Sequence, residues 1–79
     1  MKTEYQYVRF VEAPEFIGRK TSVYSVLNMR SADQIGIVEW FGTLRQYVFF
    51  PFPRTAYSAG CLKDIEAFIG ELMAEKRAR

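Results

Sequence analysis

Between residues 35 and 53 apolar and aromatic side chains occupy both parities of the chain. Successive side chains of a strand point to opposite faces, so a run of this kind is a strand with something to bury on each side. The run breaks at Gly42-Thr43-Leu44-Arg45, a Gly-containing stretch between two segments rich in β-branched and aromatic residues, and this predicts a hairpin. In the outgoing strand Gly36, Val38 and Trp40 share one side, and Ile35, Ile37, Glu39 and Phe41 share the other. The returning strand divides into Gln46, Val48 and Phe50 against Arg45, Tyr47 and Phe49. Glu39 and Arg45 tolerate water, so the sets that contain them are assigned outward. Val38, Trp40, Val48 and Phe50 are therefore expected in the core, and Ile37, Phe41, Arg45, Tyr47 and Phe49 on the opposite face.

Upstream, residues 4–13 alternate loosely, with Tyr5, Tyr7, Arg9 and Val11 opposed to Gln6, Val8, Phe10 and Glu12, which predicts a first strand. Pro14 lacks an amide donor and Gly18 follows, so 14–20 is expected to be a loop in which Phe16 and Ile17 anchor on the rim of the core. Residues 21–29 form a second strand with Val23, Ser25 and Leu27 opposed to Tyr24, Val26 and Asn28, and a polar turn at 30–33 leads into the hairpin. Pro51 and Pro53 end the sheet.

From Cys61 the period changes from 2 to 3.6, and Cys61, Leu62, Ile65, Phe68, Ile69, Leu72 and Met73 make one apolar stripe. Lys63, Asp64, Glu66, Glu71 and Glu75 face away. Ser58 fits the N-cap of a helix over 59–77, and the basic residues at its end complement the negative pole of the helix dipole. Short connections favour pairing of sequential strands, so the expected fold is α+β: a four-stranded antiparallel β-meander followed by one C-terminal amphipathic helix packed on one face. The whole of 1–79 is read as a single domain.

Composition narrows the class. At 79 residues the chain removes only about 60% of its unfolded surface from water, and an apolar content of 49% argues against disorder. A single cysteine excludes an internal disulfide framework, no stretch reaches the length of a membrane helix, and the first residues carry no apolar signal segment, so a cytoplasmic protein with no membrane partner is expected. The net charge of +2 is too small to recruit polyanions by itself. Residues 1–60 carry seven basic and five acidic groups and 61–79 carry four of each, which puts the excess, mostly Arg, on the sheet half.

The segments Val38-Glu39-Trp40-Phe41-Gly42, Arg45-Gln46-Tyr47, Phe49-Phe50-Pro51, Ser58, Cys61-Leu62, Asp64-Ile65 and Phe68-Ile69 together resemble a group of small uncharacterised bacterial and phage-type proteins. Their hairpin reads Trp-aromatic-Gly-x-x-Arg-Gln-Tyr-x-Phe-Phe-Pro before a Cys-Leu-x-Asp-Ile helix. The resemblance covers about residues 35–73 and implies a shared fold, with no catalytic residue attached to it. It brings no established activity; a phage or mobile-element setting would favour an accessory or inhibitor factor. Glu39, Leu44 and Val48 stand where the group has Lys, Trp and Cys, and the first two changes remove a charge and a ring that a polyanion site would use.

The absence of His excludes imidazole relays and ligation. Cys61 starts the apolar stripe and reads as a buried structural thiol. The helix carboxylates read as a solvated face, and the five glycines are scattered singly, with no phosphate loop. No enzyme, cofactor or metal is expected. The aromatic sheet face away from the helix remains, with Ile37, Phe41, Arg45, Tyr47 and Phe49 expected to bind a protein partner or a second copy. The alternative is a single-stranded nucleic-acid module using Arg45, Tyr47 and Phe49, because aromatic rings on an open sheet stack unpaired bases.

Overall fold

The computed structural model describes residues 1–13 and 21–78; the loop expected at 14–20, with Phe16 and Ile17, lies outside the described residues. The strands are β1 (Val8–Glu12), β2 (Tyr24–Asn28), β3 (Gln34–Phe41) and β4 (Gln46–Pro51), followed by the helix α1 (Ala59–Arg77). They form one sheet in the order β1-β2-β3-β4 with every neighbouring pair antiparallel, which is the expected meander with its C-terminal helix.

β1 is shorter than the alternation of 4–13 implies. The chain folds back before it: the Tyr5 amide donates to the Val8 carbonyl at 3.0 Å and the Phe10 amide to the Thr3 carbonyl at 2.8 Å. Glu4 thus bridges to Arg9 along the outer edge of β1. The fold reverses the parity: with Glu4 opposite Arg9, Tyr5 lies on the core side, edge-on to Phe10 at 5.6 Å, although simple alternation sets the two on opposite faces. The polar turn after β2 is organised by Asn28, whose Oδ1 accepts from the amides of Arg30 at 2.8 Å and Ser31 at 3.1 Å. Between Val26 and Leu27 the register shifts: Val26 faces Gly36 while Leu27 faces Gln34. Ile35 is the extra residue of this bulge and turns into the core, where it is 8% exposed.

The helix buries Cys61, Ile65, Phe68 and Leu72 against the sheet. Phe68, fully buried, stacks on Phe10 at 3.9 Å between ring centroids and takes the edge of Tyr24 at 5.1 Å. Ser58 caps the helix as expected, its hydroxyl accepting from the Cys61 amide at 3.2 Å. Three helix positions differ from the sequence reading. Leu62, placed in the stripe, is 52% exposed. Asp64 and Glu71, placed on the solvated face, hold the N-terminal segment: Asp64 Oδ2 accepts from the Tyr7 amide at 2.8 Å, and Glu71 Oε2 from the Tyr5 hydroxyl at 2.9 Å.

Candidate functional site: the open face of the sheet

The register of the hairpin decides which side chains lie away from the helix. Trp40 faces Tyr47, Val38 faces Phe49, Glu39 faces Val48, and Ile37 faces Phe50. Odd positions of β3 therefore share a face with even positions of β4. This corrects half of the expected core: Val38 and Trp40 do lie on the helix face, but their companions on β4 are Tyr47 and Phe49, while Val48 and Phe50 lie on the open face. The four-residue loop between Phe41 and Gln46 is the cause. Its turn is closed by the Leu44 amide on the Phe41 carbonyl at 3.1 Å and the Arg45 amide on the Gly42 carbonyl at 3.2 Å. Arg45 completes it in the left-handed region at φ 54. A register one residue different reverses every side chain of a strand, and the charges used to sort the faces carry no register information.

Of the five residues expected to bind a partner, two lie together on the open face. Ile37 is half-buried there and Phe41 is 37% exposed. Arg45 sits in the loop at the end of that face, exposed to solvent. Tyr47 is buried, its ring edge-on to Trp40 at 5.5 Å, and Phe49 is half-buried with its ring edge-on to Tyr57 at 5.3 Å. The Phe49 ring also lies over Gly36, where a Cβ would come within 2.6 Å of it. Only a glycine on β3 leaves room for that ring on the core side.

Phe50, Val48, Leu27 and Val11 are the residues the sequence reading left out of the face. Pairing carries it across the sheet from Arg9 and Val11 through Leu27 and Ser25 to Ile37, Glu39 and Phe41, and on to Val48 and Phe50. Phe41 and Phe50 meet edge-on at 5.9 Å and are 37% and 36% exposed, and Val11 at the β1 margin is 40% exposed. The signal that could have found them was the loop length: with Gly42 to Arg45 as the loop, Phe41 must face Gln46. Among the described strand residues the charges on this face are one of each sign, Arg9 and Glu39, beside the polar Ser25, Gln34 and Gln46.

The sheet edges are closed in a different way from the face. The outer side of β1 is lapped by residues 3–5, as described above. On β4 the outward amide of Tyr47 donates to Met73 Sδ at 3.4 Å, and Pro51, four residues further along the same side, has no N–H to offer. The N-terminal segment is in turn tied to the helix. Tyr5 takes the Lys2 ammonium over its ring at 4.5 Å, and its hydroxyl pKa is pushed up to about 12 by burial first and then by its bond to the Glu71 carboxylate.

Comparison with known proteins adds one relative. The chain is similar to an uncharacterized 9.3 kDa protein of Acholeplasma phage L2, 29% identical over 72 residues that make up 91% of each chain. No family model and no solved structure matches. Among the described residues no helix is long and apolar enough to cross a membrane.

Proposed function

We propose that this chain is a small, non-enzymatic, cytoplasmic protein-interaction module that associates with a protein through the open face of its sheet. The observation that carries the reading is the pair Phe41 and Phe50, each more than a third exposed and in contact with each other on a face that α1 does not cover. Ile37 and Val48 extend the patch, Arg45 stands at its rim, and Tyr47 and Phe49 hold it up from the core side. Exposed rings grouped beside an Arg are the usual anchors of protein interfaces. The likeness to a phage protein of nearly the same size fits a phage or mobile-element origin, in which an accessory or inhibitor role is the one we propose. The nucleic-acid alternative needs Tyr47 and Phe49 as an exposed stacking platform, and both sit on the core side.

The test substitutes Phe41→Ser and Phe50→Ser together. Thermal melts should show a folded variant, because neither ring belongs to the core cluster. Sedimentation of the purified chain, and cross-linking in the host cell followed by identification of the linked protein, should show an association of the wild type that the variant loses. A salt series separates the two chemistries, since apolar contact barely responds to salt whereas phosphate contact weakens steeply. Loss of folding in the variant, or associations identical in variant and wild type, would overturn the proposal, and so would salt-sensitive oligonucleotide binding as the property that is lost.

A further inference from the structure

We draw no further inference here: the strongest candidate, the cavity of about 620 Å3 between the start of β1, the β2–β3 turn and the N-terminus of α1, is marked for a ligand only by that helix end and the lone Cys61, with no second observation behind them, while nothing among the described residues shows what covers the open sheet face.

Discussion

Replacing Gly36 by Ala tests the face assignment of the hairpin directly, because the two registers give the substitution opposite signs. In the structure a methyl at this position meets Phe49 Cε1 and the Phe50 carbonyl oxygen at 2.6 Å, and Phe49 Cζ at 2.9 Å. The ring can swing, at the expense of its packing on Tyr57, but the carbonyl belongs to the ladder and cannot move without dragging β4. Overpacking of this kind costs about 1–3 kcal/mol, and a clash with backbone puts the cost in the upper half of that range. Against it stands a gain of roughly 0.5–1 kcal/mol from the lower entropy of Ala in the unfolded chain. The net loss is about 1–2 kcal/mol, and at about 4–8 °C per kcal/mol for a domain of this size the melting point falls visibly. Gly70→Ala is the matched control. It lies on the exposed side of α1 with no atom within 4 Å of the new methyl, and it should gain about 0.5–1 kcal/mol from helix propensity alone. Urea melts of both variants at constant m-value provide the comparison. If Gly36→Ala proves neutral or stabilising, Phe49 does not lie over Gly36, β4 is turned the other way, and the open face described here is wrong.

Leu72 is 4% exposed on the inner stripe of α1, so Leu72→Ala should cost about 2–5 kcal/mol in denaturant melts, while Lys63→Ala on the outer side should be nearly silent; equal losses would mean that the stripe has been misread. The Tyr5 hydroxyl is protonated in the fold up to about pH 12, against 10 for a free phenol, so its stabilising effect is complete below pH 10 and is lost as the pH rises to 12. Tyr5→Phe should flatten that part of the stability-pH curve, and an unchanged curve would remove the Glu71 bond from the account. Deleting residues 1–6 strips the lap from the edge of β1, and light scattering should then report aggregates larger than any species the full chain forms; a deletion variant as soluble as the full chain would mean that the lap is not what protects the edge.

The helix was legible to the residue because three independent signals agree at its ends: the apolar period starts at Cys61, Ser58 can cap, and the basic residues Lys76 and Arg77 close it. The meander was legible because the strands carry β-branched or aromatic runs and the connections from β2 to β3 and from β3 to β4 are short. The open face was not, and the reason is specific. Both parities of β4 are apolar, so hydrophobicity cannot choose between Tyr47 with Phe49 and Val48 with Phe50. Charge chose wrongly, because Arg45 is a turn residue rather than a strand residue and says nothing about which way Tyr47 points. The roles of Asp64 and Glu71 were hidden for another reason. A helix pattern shows that a carboxylate lies outside the stripe, but not that a segment some 60 residues earlier in the chain will come back to meet it.

How the two edges and the two faces of this sheet are treated limits the ways in which the chain can associate. An uncapped edge strand invites any extended peptide, its own copies included, through main-chain bonds that carry little side-chain specificity. Here β1 gives one amide, that of Phe10, and one carbonyl, that of Val8, to residues 3–5, and β4 gives one amide to the Met73 thioether and places Pro51 where another would be. Each edge is thus partly occupied by groups belonging to the chain itself, which hinders strand addition there. The face is treated differently: Phe41 and Phe50 meet over the Glu39–Val48 pair that separates their backbones, and among the described strand residues its charges are Arg9 on β1 and Glu39 on β3. Since the benefit of an aromatic side chain scales with the area it loses to solvent, rings left a third in water have further area to bury against a partner. On the proposed reading, partly occupied edges beside an apolar face favour a partner recognised by side-chain shape, with Phe41 and Phe50 as the anchors to test.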